Sequence, residues 1–370
     1  MNIFFLITGL GAGGAERQVV DLSEQLAASG RKIYICYITG EAKILPSNKK
    51  IQIIPLNAKK NPWSLLKALF SLRKIIRKIK PDIIHSHMVH ANLMARIVRP
   101  LLGIKTVLIC TAHNKNEGGK LRMLAYRLTD FLANISTNVS EEAVDAFIAK
   151  KATKRGRMIA MHNGIDTDKF LFDKNEREKL RVEQQILKHT KVLIAVGRIT
   201  EAKDYPNLLQ AYSKLKEIDT VLWIVGDGDK NYKYFLEKMV DELGIRDRVF
   251  FLGLRNDISA LLSAADIFIL SSEWEGFGLV VAEAMSCERV VVATDSGGVK
   301  EVLGDCGFLV PIKQPEILSK NIKEALSLTK KEAEILGKKA RERVLKNFDL
   351  KYIAKQWSEL YSKLLYEPIL

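Results

Sequence analysis

The sequence predicts an α/β chain folded as two doubly wound, Rossmann-like parallel-sheet domains. Its 370 residues exceed the usual size of one core, and a 47% hydrophobic content is ample for burial. Short β-branched runs alternate with amphipathic segments, as strand-helix-strand crossovers require. The alternation occurs twice, on either side of the polar stretch Asp166 to Thr190, rich in Lys, Glu and Gln.

In the first series, strands are expected at Asn2–Thr8, Lys32–Ile38, Ile51–Leu56, Asp82–His85, Thr106–Thr111, Ile135–Val139 and Met158–Met161, with helices between them. The second series places strands at Val192–Val196, Thr220–Val225, Arg248–Leu252, Ile267–Leu270, Val290–Ala293 and Phe308–Val310. Two helical patterns, Lys331–Lys346 and Leu350–Leu365, follow. The expected organisation is therefore a first domain over 1–165, an interdomain region over 166–190, a second domain over 191–349, and a last helix over 350–370 that packs back on the first. In such sheets the functional edge lies at the carboxyl ends of the strands.

Met1 leads straight into the run Asn2–Thr8 with no basic segment or cleavage site, and no stretch reaches the ~20 apolar residues of a membrane span. A soluble, cytoplasmic body is expected. Cys36, Cys110, Cys287 and Cys306 form no CxxC pair, which argues against a disulfide framework or a zinc knuckle. The net charge of +15 is uneven: residues 1–160 hold 26 Lys and Arg against 10 Asp and Glu, and residues 161–370 hold 32 against 33. The first half should therefore meet a polyanionic partner, such as an anionic membrane face, a lipid phosphate or a nucleic acid.

Three segments carry chemistry. GLGAGGAE, Gly9 to Glu16, follows the first strand and satisfies GxGxxG through Gly9, Gly11 and Gly14. Glycines there let the backbone approach a diphosphate, whose charge the helix N-terminus favours. SSEWEGFGLVVAEAM, Ser271 to Met285, follows the apolar IFIL and separates Glu275 from Glu283 by seven residues. A strand ending near Ser271 and a helix starting near Leu279 put a loop carboxylate and a helix carboxylate beside one ligand, with the amides of Gly278, Leu279 and Val280 free. VGRITEAKD, Val196 to Asp204, sets Arg198 and Lys203 at the sheet's carboxyl edge, where two cations can neutralise a departing diphosphate.

Together these segments resemble the retaining GT-B glycosyltransferases of the large bacterial envelope family with the Glu-x7-Glu motif, glycosyltransferase family 4 or "group 1". The resemblance runs from GGAE at Gly13–Glu16 through TAHN at Thr111–Asn114, HNGID at His162–Asp166, Arg198, Lys203 and the Glu-x7-Glu block to GGVKE at Gly297–Glu301. It implies two Rossmann-like domains facing a central cleft. It also implies that Glu275 binds sugar hydroxyls, Glu283 the ribose, and Arg198 with Lys203 the phosphates. By the same resemblance His113 lies near the transferred sugar, Gly13 and Gly14 cover the diphosphate, and Glu16 and Asn163 are further candidates on the acceptor side. No metal or other cofactor is implied, and a UDP-sugar is the habitual donor. One departure is Ser286-Cys287-Glu288-Arg289, where the family usually has a Gly-x-Pro turn after its EAM helix.

HSHMVH, with His85, His87 and His90, invites a metal reading, but no carboxylate or cysteine completes the set. Pro62–Lys80 has helical periodicity, with Leu65, Leu69, Leu72, Ile75, Ile76 and Ile79 on one face. Lys67, Arg73, Lys74, Arg77, Lys78 and Lys80, with Lys60 just before, make it basic; ordinary core packing explains the Leu and Ile stripe, but Leu66 and Phe70 fall among the cations and Trp63 sits at the start. Apolar residues within a cationic face are the pattern of interfacial insertion. The expected partners are thus a nucleotide-sugar donor, a lipid-linked or saccharide acceptor and the anionic inner face of the membrane. Rival readings are a sugar-nucleotide epimerase, a nicotinamide-dependent oxidoreductase using GxGxxG, and a nucleic-acid binder; the last lacks aromatics interleaved with its cations.

Overall fold

The apolar runs become two parallel sheets because each buries both faces under helices. In the computed structural model residues 1–11, 13–59 and 61–366 are described, so Ala12 of the glycine-rich turn, Lys60 of the basic cluster and residues 367–370 lie outside the described residues. Two compact units result, one formed by Met1–Gly164 with the chain from Leu350, the other by Ile165–Asp349.

In the first unit, β1 (Asn2–Ile7), β2 (Lys32–Tyr37), β3 (Gln52–Pro55), β4 (Ile83–His87), β5 (Val107–Ala112), β6 (Ile135–Asn138) and β7 (Met158–Ala160) form a sheet of order β3-β2-β1-β4-β5-β6-β7. Its helices are α1 (Gly14–Ala28), α2 (Pro62–Ile79), α3 (Val89–Val98), α4 (Lys120–Thr129) and α5 (Glu141–Ala149). The period-two rule of a strand is plain in β1. Phe4 and Leu6 pack with α2 and α3, whereas Ile3, Phe5 and Ile7 pack with α1 and with residues Ile353, Trp357 and Tyr361 near the chain's end. Because β1 pairs with both β2 and β4, the winding direction reverses there, and such a switch point opens a crevice at the carboxyl ends.

The second unit contains α6 (Lys174–Glu183), β8 (Lys191–Val196), α7 (Tyr205–Ser213), β9 (Thr220–Val225), α8 (Lys230–Glu242), β10 (Val249–Gly253), α9 (Ile258–Ala264), β11 (Ile267–Leu270), α10 (Leu279–Ser286), β12 (Val290–Thr294), α11 (Val299–Leu303), β13 (Phe308–Val310), α12 (Pro315–Ser327) and α13 (Lys330–Asn347). Its sheet order is β10-β9-β8-β11-β12-β13, with the switch between β8 and β11. The last helix, α14 (Leu350–Tyr366), belongs to the first unit and packs against α1.

The structure departs from the sequence reading in three places. The polar stretch read as interdomain carries α6 and lies inside the second unit, because Arg177 and Arg181 clasp Asp266 at 2.7 and 3.2 Å and bind carbonyl oxygens at the end of α9. Strand β4 runs two residues further than expected, to His87, since His85 and His87 are buried although polar. In α2 the inward stripe is Ala68, Leu72 and Ile76, flanked by half-buried Leu69, Ile75 and Ile79; Leu65, placed on that stripe by periodicity, is 40% exposed because burial begins one turn later.

Candidate active site

At the second unit's switch point the loops after β8, β11 and β12 lock together. The stem of Lys203 lies over Gly197, where a Cβ would come within 2.6 Å of Lys203 Cε. Lys203 Nζ donates to Glu275 Oε1 at 2.6 Å, and the hydroxyl of Ser272 donates to the same oxygen at 2.7 Å. Both partners of this ion pair are largely sequestered, with side chains 17% and 16% exposed. Glu275 Oε2 accepts no hydrogen bond among the described residues, so half of the carboxylate is free for a ligand. The Glu275 loop is pinned from two sides. The Glu273 amide donates to the Ala202 carbonyl at 2.9 Å, and Gly297, at φ +57°, backs so closely that a Cβ would meet the Glu275 carbonyl oxygen at 2.0 Å.

Gly278, at φ +91°, turns the chain into α10, where Leu279 and Val280 take the first-turn positions whose amides have no intrahelical acceptor. Glu283 is half-buried on the next turn, and Arg198 is exposed on the loop after β8. Arg198, Lys203, Glu275, Gly278, Leu279, Val280 and Glu283 thus belong to the two loop-helix segments that flank the switch between β8 and β11. Sequence reasoning treated Lys203 and Glu275 as separate ligand contacts and missed their pairing. It also missed Ser272, for which the only signal was a polar pair directly after IFIL.

The Ser286–Arg289 turn closes without the family's glycine and proline. Glu288 adopts φ +59°, and the amides of Glu288 and Arg289 donate to the Met285 and Ala284 carbonyls at 3.0 Å. A left-handed non-glycine residue costs about 1–2 kcal/mol, so this turn is held at some expense of stability.

In the first unit, Gly13 is the extended N-cap of α1 and Gly14 its first residue, with no side chain capping the helix start. Glu16 is half-buried in the first turn. Asn163 is buried beside Gly164, whose amide donates to Gln18 Oε1 at 2.9 Å. His113 follows β5, and its amide donates to Glu117 Oε1 at 3.0 Å. Its ring Nε2 lies 3.1 Å from His87 Nδ1. The His87 ring in turn sits 4.1 Å, centroid to centroid, from that of His85. His85 is satisfied on both nitrogens, by Tyr361 Oη and Thr111 Oγ1, each at 2.7 Å. Burial holds His85 and His87 well below the usual histidine range and lowers His113 to about 4, so all three are neutral at pH 7. His90 stands apart, exposed on α3. Among the described residues no three His, Cys, Asp or Glu side chains are grouped to hold a metal ion.

Known proteins share both the sequence pattern and the fold. Residues 12–169 match the family "Glycosyltransferase Family 4" and residues 176–343 match "Glycosyl transferases group 1". The N-acetyl-alpha-D-glucosaminyl L-malate synthase of Bacillus anthracis is 26% identical over 375 residues, covering 95% of this chain and 94% of that protein. The UDP-Gal:alpha-D-GlcNAc-diphosphoundecaprenol alpha-1,3-galactosyltransferase of Escherichia coli is 27% identical over 314 residues, covering 80% and 79%. The crystal structure of Anabaena HepE in complex with UDP superposes with a TM-score of 0.87 at 23% identity, over 98% of this chain and 100% of that one. With its two halves matched in order and each built on a parallel Rossmann-like sheet, the chain belongs to the group 1, family 4 glycosyltransferases of GT-B fold.

Proposed function

We propose that the protein transfers a sugar, with retention of anomeric configuration, from a nucleotide-diphosphate sugar to a lipid-linked saccharide in the assembly of cell-surface polysaccharide or glycolipid. The observation that carries this reading is the Lys203–Glu275 pair at the β8/β11 switch point, beside Arg198 and the start of α10. Cations and open amides suit a diphosphate, and an anchored carboxylate with one free oxygen suits sugar hydroxyls. In this proposal Arg198, Lys203 and the amides of Gly278, Leu279 and Val280 take the phosphates, Glu283 the ribose and Glu275 the sugar. The roles that the resemblance assigns in the first unit, His113 near the transferred sugar, Gly13 and Gly14 over the diphosphate, and Glu16 with Asn163 towards the acceptor, are part of the same proposal. The bond from the anomeric carbon to the phosphate oxygen breaks, the bond to the acceptor oxygen forms, and the acceptor's proton passes to the leaving phosphate. No metal is needed for that balance.

The Escherichia coli relative is named for a UDP-sugar and a diphosphoundecaprenol acceptor, and HepE holds UDP, which together favour a UDP-sugar donor here. A thermal-shift screen of UDP-, GDP- and ADP-sugars beside NAD tests this. A UDP-sugar is expected to raise the transition by several degrees, and stabilisation by NAD alone would point to the oxidoreductase instead.

The acceptor's lipid places the protein, in this proposal, on the inner face of the membrane. Among the described residues no helix is long and apolar enough to cross a bilayer, so attachment would be peripheral. Support comes from the side of the first unit formed by α2, α3 and α4. Trp63, Leu66 and Phe70 on α2 are exposed, as are Leu121 at 83%, Leu124 and Leu128 on α4 and Phe131 just beyond it. Arg73 Nε donates to the Leu101 carbonyl at 2.7 Å, tying α2 to the turn after α3. The three helices contain no Asp or Glu, while Lys67, Arg73, Lys74, Arg77 and Lys78 on α2 and Lys120, Arg122 and Arg127 on α4 supply positive charge. Each cation near an anionic surface contributes about 1 kcal/mol. The protein is expected to sediment with vesicles containing phosphatidylglycerol, and the Phe70→Ser, Leu121→Ser, Leu128→Ser variant to lose most of that binding. Equal recovery with and without lipid would remove the membrane from the proposal.

A further inference from the structure

The buried histidines on β4 lie against a third one, His113. His87 Nδ1 faces His113 Nε2 at 3.1 Å, while His87 Nε2 is buried with no hydrogen-bond partner among the described residues. Two neutral imidazoles can share the single hydrogen bond in two ways. If His113 donates through Nε2, His87 must carry its own proton on Nε2, leaving a buried N–H with no acceptor. If His87 donates through Nδ1, the orphan is only a lone pair. A stranded donor is rarer in folded proteins than an under-used acceptor. Nor does an aromatic face rescue the N–H, because Phe5 and His85 lie at interplanar angles of 32° and 39° to the His87 ring, nearer to stacking than to edge-on contact. A cationic His113 would strand the same His87 proton.

We infer that His87 is a positioning residue that donates from Nδ1 to His113 and thereby holds His113 in the tautomer protonated on Nδ1. Free imidazole side chains prefer the proton on Nε2, so the fold reverses the ordinary choice. The half-buried His113 then presents an N–H on the side away from His87, as a hydrogen-bond donor and not as a base. If His113 lies beside the transferred sugar, as the proposed function has it, that N–H meets a sugar oxygen; the tautomer itself does not depend on that reading. His85 completes the arrangement. Held at both nitrogens by Tyr361 and Thr111, it packs its ring 4.1 Å from that of His87 at a tilt of 39° and so restricts that ring's rotation.

The test is to label the histidines with ¹⁵N, of which the chain has only 6, and read the tautomer of each from long-range ¹H–¹⁵N correlation spectra. His113→Gln assigns the His113 signals by their loss. In the unsubstituted protein the proton is expected on Nδ1 of His113; finding it on Nε2 overturns the inference. His87→Phe should return His113 to the Nε2–H form, and His87→Asn, whose amide nitrogen can stand where Nδ1 stands, should keep it on Nδ1. The unsubstituted protein alone decides the matter should His87→Phe fail to fold. In a transfer assay His87→Phe is expected to lower kcat by about 10- to 100-fold with little change in donor KM, and His87→Asn to recover most of it. A confirmed tautomer together with full transfer by His113→Ala would refute the proposed role of His113 and leave the inference about His87 standing.

Discussion

Glu275→Ala is expected to abolish sugar transfer, by a factor of about 10² to 10³ or more, while the protein stays folded. The size follows from what the carboxylate holds. Its Oε1 receives both Lys203 and Ser272, so removing it frees the ammonium and the hydroxyl from the one group that fixes them at the β8/β11 crevice. An ammonium released onto its flexible stem no longer presents charge at a set place, and the oxygen proposed to take sugar hydroxyls is gone with it. The loop backbone does not depend on that side chain. Gly297 backs the Glu275 carbonyl, and the Glu273 amide stays bonded to Ala202. Circular dichroism and the thermal transition should therefore change little. Near-normal turnover in Glu275→Ala would remove the donor site as assigned. Lys203→Ala should approach the same loss, and the double variant should fall far short of the sum, since the two residues act as one unit.

The second large effect is on stability in acid. His85 and His87 are held well below the ordinary histidine value of 6.5, and His113 at about 4, all chiefly because burial disfavours the cation. The unfolded chain takes up protons on these rings near pH 6.5 and the folded chain does not. Stability is therefore full above about 6.5 and declines as pH falls towards 4, by up to about 1.4 kcal/mol per pH unit for each ring. Glu117, whose carboxyl burial raises above its usual range, works in the opposite direction and offsets part of that slope. Urea midpoints followed by tryptophan fluorescence between pH 7.5 and 5 check this, because Trp357 lies 4.4 Å from the His85 ring. A midpoint that does not move over that range would mean that the rings titrate normally.

Much of the candidate site's local structure was legible in sequence, because strand ends and helix starts are punctuated by residue types with few alternatives. IFIL gave β11 over its full length, and Gly278 marked the turn into α10 before Leu279. Glu275 and Glu283 could be placed on a loop and a helix from spacing alone. What spacing does not carry is the pairing of Lys203 with Glu275, residues 72 apart that meet only when β8 and β11 become neighbours. The histidines misled in another way. HSH looks like the end of a strand when polar residues are taken as exposed, yet hydrogen bonds and ring contacts let His85 and His87 stay inside the sheet. The polar stretch Asp166–Thr190 reads as an interdomain region for the same reason, since in its helix α6 Arg177 and Arg181 bind through charge what other helices bind through apolar contact.

Helix α14 follows every other element in the chain, yet Trp357 and Tyr361 lie in the core beneath β1, and Tyr361 supports His85. During synthesis on the ribosome, then, the half made first is finished last. The inserted body from Ile165 to Asp349 is free to complete its own sheet while the earlier strands wait for their closing helix. A nascent chain arrested before Leu350 emerges should thus yield a protease-resistant second half and a first half still open to cleavage.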